Sequence, residues 1–167
     1  MKETTIESKV LETAAKESYD AFVTAVMGAI KTAVDGELTL ETMARLNNDQ
    51  ITLWAFGILH EEMMDGGYVQ LFNNGYGPFL FDNPFLKILK AWGLRDLAKQ
   101  LYAARKIFYD NREQLEREYS DEDFMALFEK FPQLDSLDDD FVENEEQYVA
   151  QIAYYIDEHL ESFVKVI

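Results

Sequence analysis

Seven carboxylates and no base stand in the stretch Asp135–Gln147, DSLDDDFVENEEQ. Carboxylates at such density serve two chemistries, cation binding and recognition of a basic partner. The calcium reading fails on register. An EF-hand loop needs acids at alternate positions, a glycine at the sixth and a glutamate at the twelfth. Counted from Asp135, the third and sixth positions are Leu137 and Asp140. Counted from Asp138, the fifth and sixth are Val142 and Glu143. Only weak, irregular cation binding is left. His60-Glu-Glu-Met-Met64 opens like the zinc-protease pattern H-E-x-x-H, but Met64 stands where the second histidine belongs, and His159 is the only other histidine. One imidazole and no thiol make a poor transition-metal site. His60 is expected instead on the surface or half-buried near a helix C-terminus, where partial positive charge suits the dipole. No serine sits in a nucleophile elbow, and no glycine loop fits a phosphate. Paired acids are too frequent for pairing to mark a catalytic centre. The residues point to a non-enzymatic protein without metal or cofactor.

A second stretch, Asp65–Gly75, reads DGGYVQLFNNG. Gly66 or Gly67 can take the left-handed conformation that ends a helix. Tyr68, Leu71 and Phe72 then share a face, while Gln70, Asn73 and Asn74 can bond turn backbone. The plain reading is a helix cap and a packed corner. The functional alternative is a small polar pocket lined by Asp65, Gly66, Gly67, Tyr68, Gln70, Asn73 and Tyr76, for a small molecule or an unassigned enzymatic chemistry.

The charge is unevenly spread. The 167 residues carry a net charge of −17, yet residues 1–109 hold 14 acids and 11 bases, whereas residues 110–167 hold 18 acids and 4 bases. Such a field repels phosphate backbones and anionic membranes and attracts a basic partner. No direct nucleic-acid or membrane binding is expected. Cysteine is absent, which removes disulfides and fits a reducing compartment. The N-terminus leads into no apolar run of signal-peptide length, and no apolar stretch reaches membrane-spanning length. A cytoplasmic protein is the expectation.

Helical periodicity runs throughout. Residues 5–34 carry a stripe that includes Phe22, Val23, Val26, Ile30 and Val34, with Gly36 as a stop. Asn48 or Asp49 would cap a helix whose face is Ile51, Trp54, Ala55, Ile58, Leu59 and Met63. Residues 73–83 read as turns, Asn83 or Asp82 would cap a helix opening at Pro84, and Gly93 interrupts the pattern. A long helix is expected over 95–118, with Arg112–Glu116 and Glu113–Arg117 as compensating i,i+4 pairs. Ser120 would cap a helix ended by Pro132, and the last helix would span 142–164. No alternating strand run stands out. The expectation is one all-α domain over 1–167, a multi-helix bundle of about seven to nine helices.

DGGYVQLFNNG, a following helix that ends in Ala91-Trp92-Gly93, and Phe131–Phe141 (FPQLDSLDDDF) together resemble the DNA mimic protein 19-like domain family. The resemblance covers residues 40–165. The family pattern favours Asn-Gly-Gly-Phe where this chain has Asp65-Gly66-Gly67-Tyr68, and both glycines are kept. The resemblance implies an all-α bacterial domain, and the family name implies an acidic surface that imitates duplex phosphates.

The residues themselves give partial support. Residues 121–146 carry 11 acids and one base, Lys130, interleaved with Phe124, Leu127, Phe128, Phe131, Leu134, Leu137 and Phe141. A disordered acidic tail lacks such anchors. A run of acids is by default a solvated face. Here the apolar residues are expected to hold the carboxylates in place. The expected partner-binding residues are Asp121, Glu122, Asp123, Asp135, Asp138, Asp139, Asp140, Glu143, Glu145 and Glu146. The expected partner is a basic protein, such as a DNA-binding regulator. An immunity-type inhibitor of a basic toxin follows from the same charge logic.

Overall fold

Ser18 divides the N-terminal apolar stripe in two. Helices α1 (Ser8–Glu17) and α2 (Tyr19–Ala33) meet there, and the extended Ser18 backbone lets its Oγ accept the Ala21 N–H at 2.9 Å. This is an ordinary N-cap, which a continuous stripe conceals. The computed structural model describes residues 3–167. Ten further helices follow: α3 (Leu40–Met43), α4 (Asn48–Asp65), α5 (Gly67–Asn73), α6 (Gly77–Phe81), α7 (Phe85–Ala91), α8 (Arg95–Asp110), α9 (Arg112–Glu116), α10 (Asp121–Phe128), α11 (Pro132–Glu158) and α12 (Leu160–Phe163). Strands β1 (Thr5–Ile6) and β2 (Lys165–Val166) pair in parallel.

The fold is all-α, as expected, but the described residues form twelve helices rather than seven to nine. Local breaks account for the difference. The expected helix over 95–118 is interrupted at Asn111, whose φ of −131° leaves the helical range and whose Nδ2 donates to Ile107 O at 2.9 Å. Residues 73–83, expected as turns, hold the five-residue α6. Ser120 caps α10 as expected, accepting the Asp123 N–H at 3.2 Å. Neither Asp82 nor Asn83 caps α7. Asp82 accepts the Tyr109 hydroxyl, and the Asn83 amide donates to Phe79 O. No helix among the described residues is long and apolar enough to cross a membrane.

Two compact units can be distinguished, Met1–Gly57 with Glu146–Ile167, and Ile58–Glu145. In the first, α2 buries Phe22, Val23, Val26, Ile30 and Ala33. The start of α4 is buried nearly all round, at Thr52, Leu53, Trp54, Ala55 and Phe56, while Ile51 is only half-buried. The expected single face is therefore too narrow. A helix apolar on most sides belongs in an interior. Its cap is Asn47, not Asn48 or Asp49. Asn47 Oδ1 accepts the Gln50 N–H at 2.8 Å, and Gln50 Oε1 accepts the Asn47 N–H at 3.0 Å, a reciprocal capping box. Gln50 is 8% exposed, and its Nε2 donates to Phe163 O at 2.8 Å and Thr4 Oγ1 at 3.2 Å. One buried amide thus ties the start of α4 to the end of α12 and to the residue before β1.

In the second unit, Phe72, Phe81 and Phe108 pack ring against ring with centroids 4.7–5.9 Å apart. Gly77 lies under this cluster. A Cβ there would stand 2.5 Å from the Phe108 ring, so no larger residue fits without displacing it. Leu71, Leu80, Leu89, Leu97 and Leu101 complete a core in which, among the described residues, no charged side chain is fully buried.

The Asn47 side chain also donates to Ser162 O at 2.8 Å. Asn47→Ala removes the cap and this tie together. It should lower unfolding stability by about 1–2 kcal/mol, read by urea denaturation. An unchanged midpoint would mean that water replaces both bonds.

Candidate functional site

The acidic stretch 135–147 lies wholly inside α11, which begins at Pro132, ten residues before its expected start. Pro132 opens this helix rather than only ending the one before. Proline suits the first helical turn, because its missing N–H is an orphan there and its φ is already helical. Three apolar residues seven apart, Leu134, Phe141 and Tyr148, are buried and set which side of α11 faces inward. Asp135, Asp139, Glu143 and Glu146 are all exposed and fall on the opposite side. Val142, 51% exposed, lies among them. Successive members are three or four residues apart, about 5–6 Å between side chains. Among the described residues no ion pair compensates these four acids. The 27 residues of α11 include no Lys, Arg or His.

Asp138 and Glu145 take a different place on the same helix. They are seven residues apart on its flank, and both are half-buried. Asp138 Oδ1 accepts the Tyr68 N–H at 2.8 Å, so the carboxylate sits at the start of α5. Gly67 makes room for it. A Cβ on Gly67 would stand 2.4 Å from Asp138 Oδ2, and its φ of +82° also disfavours any side chain. Burial pushes the Asp138 carboxyl up to about 6. The Tyr68 N–H opposes that push, and Asp135 and Asp139 add to it. Glu145 Oε1 lies 2.6 Å from His60 Nε2, and the His60 ring meets Phe141 edge-on at 6.4 Å. His60 is half-buried near the end of α4, as its sequence position suggested, but its partner is a carboxylate of α11 and not only the helix end.

The Asp65–Gly75 corner is occupied by its own side chains. Gln70 Nε2 donates to Glu62 Oε2 at 3.0 Å and to Asp65 Oδ2 at 2.9 Å, and Asn74 Nδ2 donates to the same Glu62 oxygen at 3.0 Å. Asn73 Nδ2 donates to Leu115 O at 2.9 Å and Arg117 O at 2.8 Å, holding the end of α9. Gly66 is the residue before α5, Gly67 its left-handed first residue, and Tyr68 is fully buried. Tyr76 is half-buried just before α6. The amides that could orient a ligand are spent on the protein itself. Glu62 was not singled out from the sequence. Its role comes from residues eight and twelve positions on, with no local motif to mark it.

The remaining acids divide by local cause. Asp121, Glu122 and Asp123 are exposed in the first turn of α10, where the helix dipole favours negative charge by about 0.3–1 kcal/mol each. Their placement has a structural reason. Asp140 is half-buried on the side of α11 away from Asp138. Asp139, Glu143 and Glu146 lie beyond the first turn, where the dipole no longer helps. The two compensated pairs expected in the 95–118 helix do form, Arg112 with Glu116 inside α9 and Arg117, the residue after α9, with Glu113. Among the described residues no three His, Asp or Glu side chains converge as a metal-ligand set.

Because folding raises the Asp138 pKa, the folded chain binds more protons than the unfolded chain between about pH 4 and 6. This group's contribution is fully present below its unfolded pKa and is lost as pH rises through about 6. Asp138→Asn keeps an oxygen for Tyr68 N–H and removes the charge. Relative to wild type it should gain stability from pH 4.5 to pH 7.5 in urea titrations. Asp138→Ala strands the N–H and should cost about 1–3 kcal/mol at either pH. Equal losses for Asn and Ala at pH 7.5 would show that the negative charge is needed.

A family model described as DMP19-like protein matches residues 44–159, a span that includes α4, α5 and α11 and hence the Asp138–Tyr68 contact. DNA mimic protein DMP19 of Neisseria meningitidis serogroup B (strain ATCC BAA-335 / MC58) is 30% identical over 127 residues, covering 75% of this chain and 77% of that protein. With the motif corner and the acidic helix in one fold, and a family match across both, the chain belongs to the DMP19-like protein family.

Proposed function

We propose that this protein is a non-enzymatic DNA mimic, whose acidic helix face occupies the basic DNA-binding surface of a regulator or another nucleic-acid-binding protein in the cytoplasm. One observation carries the reading: the outward row Asp135, Asp139, Glu143 and Glu146, on a helix without a single base. A relative named as a DNA mimic protein supports it. The row advances about 6 Å per four residues along the helix. One DNA strand presents a phosphate about every 3.4 Å of axis, so the carboxylate row has a charge spacing of the same order. Asp121, Glu122 and Asp123 add negative charge at the start of α10, and Asp140 adds more beside the row. Asp138 and Glu145 hold the helix in its rotation and contribute less of their charge to a partner.

The mechanism is competition. A basic protein that docks on this face releases its DNA, and the complex weakens as salt screens the contacts. Like charges three or four apart destabilise a helix by about 0.2–0.5 kcal/mol per pair. Keeping such a row has a cost that binding explains.

The variant D135N/D139N/E143Q/E146Q separates use from stability. At low salt it should unfold about 1 kcal/mol less readily than wild type, because three like-charge neighbours are relieved. In pull-downs from host lysate, it should lose the partner that wild type retains and that duplex DNA displaces. Equal recovery of a DNA-displaceable partner by both proteins would rule out the row as the docking surface.

A further inference from the structure

Tyr19, the first residue of α2, and Tyr154, on α11, touch across 135 residues of sequence. Their hydroxyl oxygens are 2.7 Å apart and share a hydrogen bond. Their ring centroids are 5.4 Å apart with planes tilted by 53°. Both rings are open to solvent, at 50% and 54% exposure. Two phenols held in contact yet exposed are poor candidates for a purely structural pair, since burial would strengthen both the packing and the hydrogen bond.

From this geometry we infer a modification site: Tyr19 and Tyr154 are positioned to form an intrachain dityrosine cross-link under one-electron oxidation by a haem peroxidase with hydrogen peroxide. Each phenol gives up one electron and its hydroxyl proton, leaving a phenoxyl radical. The two radicals join through ring carbons ortho to the oxygens. Each joined carbon then loses its hydrogen as a proton, and each oxygen regains one. Two C–H bonds break, one C–C bond forms, and the two electrons and two protons reduce one peroxide to two waters.

Thiol and indole sinks are absent or buried, and the pairing of Tyr19 with Tyr154 sets these two apart from lone tyrosines. The chain has no cysteine thiol to intercept the radical. Trp54 and Trp92 are only 5% and 2% exposed, while among the other tyrosines Tyr102 and Tyr109 are 45% and 37% exposed and compete for the oxidant. The exposed Met64 and Met125 react with peroxide itself by oxygen transfer, a two-electron path distinct from phenol oxidation. The shared hydrogen bond keeps the second ring beside the first while the radical lives. A bond between residues this far apart closes a long loop, the case in which a cross-link restricts the unfolded chain most.

The test mixes equal amounts of unlabelled and 15N-labelled protein at low concentration with haem peroxidase and limiting peroxide, then reads dityrosine fluorescence and peptide masses. The expected product is a Tyr19–Tyr154 peptide pair two hydrogens lighter than its parts, found only as all-light and all-heavy forms. Y19F and Y154F, each lacking only a solvent-exposed hydroxyl, should lose the fluorescence at least tenfold. Y102F, which alters another exposed tyrosine, should keep it. Mixed-isotope pairs, cross-links spread over other tyrosines, or no cross-link when wild-type tyrosine is consumed would each overturn the assignment.

Discussion

The rotation of α11 about its own axis decides what this protein presents to its surroundings, and two kinds of contact fix it. Leu134, Phe141 and Tyr148 turn one side of the helix inward. Asp138 then meets the Tyr68 N–H, and Gly67 leaves the space it needs. An apolar stripe alone tolerates a rotation of tens of degrees, because hydrophobic burial is non-directional. A hydrogen bond to one backbone N–H does not. Once Asp138 and Glu145 are aimed at their partners, Asp135, Asp139, Glu143 and Glu146 have no direction left but outward.

The two rows of acids thus divide the work. The flank row is half-buried and gains hydrogen bonds that offset part of its desolvation. The outer row stays exposed, and beyond Asp135, which lies in the first turn, it gains nothing locally. In α9 the same local repulsion is cancelled by Arg112 and Arg117 opposite Glu116 and Glu113. No such base stands anywhere on α11. Within one chain, then, the acids of α9 are compensated by bases and those of α11 are not.

Much of this was legible in the sequence, and the failures have physical causes. The all-α class, the Ser120 cap, the α9 ion pairs and the left-handed glycine in Asp65–Gly75 all depend on neighbours within a few residues. Pro132 misled because proline ends one helix and begins another with the same chemistry. Asn47, Asn48 and Asp49 are all competent caps, and Gln50 picks Asn47 by closing the capping box. The seven acids of the stretch looked equivalent, since nothing near Asp138 or Glu145 reveals a partner 70 or 85 positions earlier. The family resemblance joined the same two stretches that the Tyr68–Asp138 hydrogen bond joins in space, but it carried no residue-level reason for doing so.

The Asn74–Gly75 step has a consequence for how the protein ages. Glycine after asparagine puts no side chain in the way of the following backbone nitrogen. Whenever the Gly75 N–H lets go of Phe72 O, that nitrogen can attack the side-chain amide. Ammonia leaves as the ring closes, and water opens the ring to an acid. Asn74 is exposed, and its amide now donates to Glu62. After that loss, two carboxylates would face each other where a hydrogen bond had been, and Glu62 would be left with Gln70 as its donor. A stored sample would therefore grow more negative at the corner that supports α5, a slow chemical drift visible as an acidic shoulder on ion exchange.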